Sequence, residues 1–289
     1  MPWFKETIQR YPLSAYVLLC YLFSWAFLLP CYRILLNAEE GTFPWLALIG
    51  LPGAYGPSLI AILMVKLTEE KGRVKELLGK LLLWKAAWRW YLLILLIPVL
   101  LETAAVLISQ AFGVALGAFA LKRALTVYFP YVLIALPFGP MGEELGWRGY
   151  LLPKLLGKHK PLVASVILGF IWTFWHMASF SFPGAAIPSI FNVTGFTIFL
   201  YLATIFGETL LITYLYLKTG GSLLLAILFH AVFNASSNIV FSLFPEISQN
   251  VENREVIYII NFVLMILLGT ALLIREEKSH QKKIGQYVE

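Results

Sequence analysis

The chain has 289 residues, of which 60% are hydrophobic and only 13% are Asp, Glu, Lys or Arg, against roughly 25% charged in ordinary soluble domains. That composition argues against a water-soluble domain and for an all-α, polytopic membrane protein whose main solvent is lipid. The formal charge of +6 does not imply a nucleic-acid partner, because the basic residues lie between apolar runs and read as topology signals and contacts for anionic headgroups of the lipid bilayer.

Eight runs are long and apolar enough to span, at about 13–36, 44–66, 89–112, 124–147, 161–182, 194–217, 222–243 and 255–274. Each reaches the roughly 20 residues that cross a hydrocarbon core. Lys5 and Arg10 ahead of the first run imitate a signal peptide, but no small-x-small cleavage site follows, so it is read as the first membrane helix. Cys20 and Cys31 fall in that run. At helical rise they are roughly 16 Å apart, too far for a disulfide, and are expected to be buried apolar thiols. After the second run, residues 72–88 ("GRVKELLGKLLLWKAAW") place Val74, Leu77, Leu78, Leu81 and Leu82 at helical spacing, with Lys75, Lys80 and Lys85 between them. This predicts an amphipathic helix on the inner leaflet, anchored by Trp84 and Trp88. Breaks fall at "NAEEGTFP", "SFPGAAIPS", "KTGGS" and "FPEISQNVENRE". No internal repeat or low-complexity linker appears, so residues 1–289 are expected to form a single transmembrane domain.

With the N-terminus inside, 17 of the 22 Lys and Arg lie in inside segments, and Arg33, Lys122, Arg123 and Arg254 outside; Arg148 is at membrane depth. The bias predicts both termini in the cytoplasm, in keeping with an even number of spans.

Within the fourth run, "GPMGEELGWRGYLLP" carries Glu143, Glu144 and Arg148. A charge at the centre of a span costs about 2.5–3.5 kcal/mol on insertion scales, so three of them require a reason. Glu144 and Arg148 are four apart with the acid first, the favourable order for an ion pair that locks the helix. Glu143 lies about 100° round the helix from Glu144 and is left as the carboxylate for chemistry. Of the four histidines, His159 and His280 read as solvated, while His176 and His230 lie within apolar runs. Asn234 follows His230 by one helical turn, either as a partner in donating to an oxyanion or as an interhelical hydrogen-bonding group. Glu208, in "IFGETLL", either bonds a neighbouring helix or lines a water-filled cavity and tunes substrate entry. No H-E-x-x-H, G-x-S-x-G or P-loop sequence is present, which removes soluble zincin, serine-hydrolase and nucleotide-driven readings.

The three motifs resemble the CAAX prenyl endopeptidase and bacteriocin-processing (CPBP, or Abi) family. "EELGWR" (143–148) is similar to its E-E-x-x-x-R motif, "WTFWH" (172–176) to F-x-x-x-H, and "HAVFN" (230–234) to H-x-x-x-N. The resemblance covers roughly 125–240, a CPBP-like catalytic core. Trp172 stands where the family usually has Phe, keeping an aromatic and making a bulkier pocket wall. The resemblance implies an eight-helix intramembrane endopeptidase acting on a membrane-associated or lipidated protein or peptide. Glu143 and His176 would activate water, His230 and Asn234 would stabilise the oxyanion, and Glu144 and Arg148 would support the site. Glu143, His176 and His230 could alternatively form a zinc set, as in a metalloprotease; the metal-free glutamate mechanism is favoured, because Asn234 beside His230 suits an oxyanion hole better than a ligand shell. The rival readings are a non-catalytic scaffold or bacteriocin-immunity protein, and a transporter, which the absence of an inverted repeat disfavours. The expected location is the plasma membrane.

Overall fold

A computed structural model describes residues 2–39, 45–181, 194–247 and 250–285, and contains no strand among them. In chain order the helices are α1 (Pro2–Arg10), α2 (Pro12–Leu36), α3 (Leu51–Ala54), α4 (Gly56–Thr68), α5 (Arg73–Gly79), α6 (Trp88–Ser109), α7 (Leu121–Ala135), α8 (Pro140–Glu144), α9 (Leu152–Leu156), α10 (Pro161–Trp175), α11 (Gly195–Lys218), α12 (Leu223–Leu243) and α13 (Val251–Gly285). A π-helical turn, Leu145–Leu151, joins α8 to α9.

Among the described residues, six helices are long and apolar enough to cross a membrane: Pro12–Leu36, Trp88–Phe112, Pro161–Phe180, Gly195–Lys218, Leu223–Leu243 and Glu252–Ser279. A seventh span results if Trp45–Ala54 and Gly56–Thr68, bent by 44°, cross together. The protein is therefore an integral, multi-pass membrane protein. The fourth of the eight expected spans, 124–147, is not one helix. It breaks into α7, a 3-10 turn at Leu136–Phe138, α8 and the π turn. Pro137 and Pro140 bracket the break, and both lack the amide that would carry a helix onward. Gly139 between them sits at φ −177°, ψ −80°.

The expected amphipathic helix over 72–88 is also shorter. Helix ends at Leu82, and residues 83–87 are irregular. Lys80, expected on the polar face, instead turns inward, where Nζ donates to Gly149 O (3.4 Å) and Tyr216 Oη (3.3 Å). Burial in that position holds its pKa below the usual lysine value. Ser222 Oγ donates to Leu83 O at 2.5 Å, pinning the irregular stretch to the start of α12. Leu78, Leu82, Trp84 and Trp88 remain exposed, as a surface lying on lipid requires.

α12 is the centre of the bundle. It packs against α6, α7, α8 and α11, and most of its apolar side chains are buried. The "KTGGS" break before it is a tight helix stop: Gly220 and Gly221 have φ of +65° and +81°, and Gly221 N–H returns to Tyr216 O at 2.9 Å, satisfying a terminal carbonyl of α11. Cys20 and Cys31 are both unpaired with each other and buried, as expected. Parts of the loops expected to face outward, 40–43 and 183–193, and residues 248–249, lie outside the described residues.

Candidate active site

A cavity of about 630 Å³ opens among α2, α8, α10, α11 and α12, and Glu143, His176, His230 and Asn234 all line it. The four come from three separated stretches of sequence, and tertiary packing alone brings them to one space. Glu144 and Arg148 lie behind the wall, both with fully buried side chains.

Glu143 reaches the cavity because α8 is pressed hard against the α3–α4 elbow. A Cβ on Gly142 would lie 2.7 Å from Ala54 O, and one on Gly146 would lie 2.4 Å from Pro57 O; the two glycines, four apart, let backbone meet backbone there. The carboxylate is then fixed by indoles. Trp172 Nε1 donates to Glu143 Oε2 at 2.6 Å, and Trp147 Nε1 reaches the same oxygen at 3.4 Å. Trp172 is thus more than the bulky wall expected from the sequence. Its ring also carries the Arg148 guanidinium, 4.3 Å from the centroid, a cation–π contact strengthened by burial.

His176 sits where α10 gives way to a 3-10 turn, His176–Phe180. Its Nδ1 is 3.0 Å from Trp172 O. A carbonyl can only accept, so Nδ1 carries the proton, and in the neutral ring Nε2 holds the lone pair. α2 supplies donors along the end of α10: Trp25 Nε1 donates to Trp175 O, one of the terminal carbonyls without an intrahelical partner, at 2.9 Å, and the Tyr21 hydroxyl donates to Ile171 O. α2 therefore anchors the turn that carries His176.

His230 Nδ1 is 2.8 Å from Glu144 Oε1, which also accepts from Arg148 Nη1 at 2.8 Å. Carboxylate chemistry again makes Nδ1 the donor. Glu144 thus does two things, pairing with Arg148 and orienting the His230 imidazole. Asn234, one turn along α12, is exposed to the cavity. Of the remaining histidines, His159 is exposed as expected; the side chain of His280 lies outside the described residues.

The zinc set considered from the sequence is not gathered: among the described residues, no three His, Cys, Asp or Glu side chains are placed to hold one ion. Glu143 Oε2 accepts from two indoles, and His230 Nδ1 is turned to Glu144. Sequence reasoning missed the roles of Trp147 and Trp172 as donors, and missed Glu255 and Tyr258 of α13, which line the same cavity. The spacing Gly142-x-x-x-Gly146 was a signal for the close approach of α8. Nothing local marked the indole donors.

Comparison with known proteins places the same region in a known context. Residues 124–236 match the family model described as Type II CAAX prenyl endopeptidase Rce1-like. A protein from Methanococcus maripaludis named CAAX prenyl protease 2 is 25% identical over 242 residues, covering 82% of this chain and 85% of that protein. The resemblance read from the three motifs therefore recurs as a match of the central region to that family model. All seven motif residues fall inside 124–236.

Proposed function

We propose that this chain, similar over its central region to the type II CAAX prenyl endopeptidases, is an intramembrane endopeptidase that hydrolyses a peptide bond of a membrane-associated or lipidated protein. The observation that carries the reading is one cavity lined by a buried carboxylate, two imidazoles with Nδ1 already engaged, and a carboxamide.

Amide hydrolysis needs a base for water, donors for the oxyanion, and a proton for the leaving amine. Glu143 takes a proton from water, and the lone pair on His176 Nε2 orients that water. The hydroxide adds to the scissile carbonyl carbon, and the carbonyl oxygen gathers negative charge. Asn234 donates to it from its amide. His230 Nε2 can donate as well only in the doubly protonated ring, since Nδ1–H is given to Glu144. The proton on Glu143 passes to the amide nitrogen, the C–N bond breaks, and a carboxylic acid and an amine leave. Glu144 and Arg148 hold His230 and touch no reacting atom.

This mechanism uses no metal, so activity is expected to survive prolonged chelation. Loss on chelation with recovery on added Zn²⁺ would reassign Glu143, His176 and His230 to a metal site. The proposed setting is the plasma membrane, and the charge bias supports an orientation with both termini cytoplasmic. Membrane proteomes of cells carrying wild type and Glu143→Ala test the function: a peptide cut only in wild type is expected. Indistinguishable proteomes would favour a non-catalytic scaffold.

A further inference from the structure

Lys80 is out of place for a helix lying on a membrane surface. It opens the 3-10 turn Lys80–Leu82, where a lysine is expected to reach out to headgroups. It is half-buried instead and turns into the bundle. The two carboxylates whose charge acts on it, Glu69 and Glu76, are paired with Lys154 and Arg73. Its ammonium goes to a backbone carbonyl, Gly149 O at 3.4 Å, and a phenol, Tyr216 Oη at 3.3 Å.

The carbonyl has a reason to need a donor from outside its helix. Gly149 is buried in the π turn Leu145–Leu151. Its α-helical donor would be the amide of residue 153, and residue 153 is Pro, which has no N–H. A buried carbonyl without a donor is costly, and the lysine ammonium, with three donors, supplies one. The same residue is a tight junction. A Cβ on Gly149 would lie 2.9 Å from Leu77 Cδ1 and 3.1 Å from Leu223 Cδ1, so α5, the π turn and the start of α12 meet there.

The contact joins the two halves of the site. The π turn continues α8, which carries Glu143 and Glu144, and itself carries Trp147 and Arg148. Tyr216 is in the last turn of α11, and Gly221 N–H bonds its carbonyl at 2.9 Å. Two residues later α12 begins, and it carries His230 and Asn234. We propose that Lys80 is a positioning residue: by holding Gly149 O and Tyr216 Oη on one ammonium, it fixes the π turn against the α11–α12 corner and so sets Glu143 against His230 and Asn234. Lys80 touches no reacting atom. The catalytic consequence rests on the reading of the cavity as an endopeptidase site; the positional one does not.

The test uses full-length protein with nitrogen-15-labelled tryptophan in nanodiscs. The indole N–H signals of Trp147 and Trp172, assigned with Trp147→Phe and Trp172→Phe, report the seat of Glu143, because both indoles reach its carboxylate. In Lys80→Met both signals are expected to shift or broaden. A lysine that merely pins the surface helix would lower the melting point and leave both signals in place, and that result overturns the proposal. Pro153→Ala restores the missing amide, so Lys80→Met/Pro153→Ala is expected to regain the wild-type signals. Signals still displaced in the double variant overturn the route through Gly149. Should Lys80→Met not fold, the double variant decides alone: wild-type signals support the proposal, and failure to fold overturns it. Turnover is scored separately, on the peptide returned by comparing wild-type and Glu143→Ala membrane proteomes. For Lys80→Met, kcat is expected to fall about tenfold or more with KM within about twofold of wild type, and Pro153→Ala should recover it. A raised KM with unchanged kcat overturns the positioning role. Displaced signals with no peptide cut by wild type sink the endopeptidase reading alone, and a cut peptide with undisplaced signals sinks the Lys80 assignment alone.

Discussion

Arg148 shows how much one side chain can be asked to hold. Its guanidinium pairs with Glu144 and lies on Trp172, with no solvent exposure. Arg148→Ala leaves Glu144 buried with only His230 for company. Removing one partner of a buried pair typically costs about 3–5 kcal/mol, and protonation of Glu144 recovers part of it. Unfolding in mixed micelles should show a loss of about 3 kcal/mol, with activity falling alongside. An inactive Arg148→Ala protein of unchanged stability would instead make the arginine a substrate contact. The ion pair was legible in the sequence, because acid and base stand one helical turn apart. The bond from Glu144 to His230 was not. It joins residues 86 positions apart, and no local spacing encodes it. The indole of Trp172 was seen as bulk, since the N–H that donates to Glu143 has meaning only once α8 and α10 are side by side.

The element that sets the site is α8 with its π turn. Insertions of this kind recur at functional sites because they re-aim side chains within a helix. Here the turn starts at Leu145, two residues after Glu143, and carries Trp147 and Arg148 back toward the site. The close seat of α8 depends on glycine. Gly146→Ala would drive a Cβ into Pro57 backbone at 2.4 Å and the Tyr16 hydroxyl at 2.5 Å. Backbone cannot swing aside as a side chain can, so overpacking should cost about 1–3 kcal/mol. Glu143 would move with the helix, and kcat should fall more than KM rises. A Gly146→Ala protein of wild-type stability and kcat would show that the elbow yields freely. Apolar run length made the long helices readable. It failed at 124–147, where two prolines and a glycine outweigh hydropathy; at 72–88 the amphipathic spacing held only to Leu82, and Lys80, expected on the polar face, satisfies inward acceptors in place of headgroups.

For the whole molecule, the charge bias makes a topological claim that can be read from outside the cell. Cys20 and Cys31 are buried, so the background for thiol labelling is low. Cysteines placed singly at His159 and Asn250, both exposed, should report opposite sides: an impermeant maleimide should modify position 250 in intact cells and position 159 only after lysis. The reverse pattern would invert the protein in the membrane. The central claim is hydrolysis by water activated at Glu143. Its most direct test is purified protein in liposomes with a cleaved membrane substrate in isotopically labelled water. The account predicts one labelled oxygen in the new carboxyl group with wild type, and no new terminus with a folded Glu143→Gln protein that still binds the substrate. Full cleavage by Glu143→Gln, with the same labelled product, would contradict it.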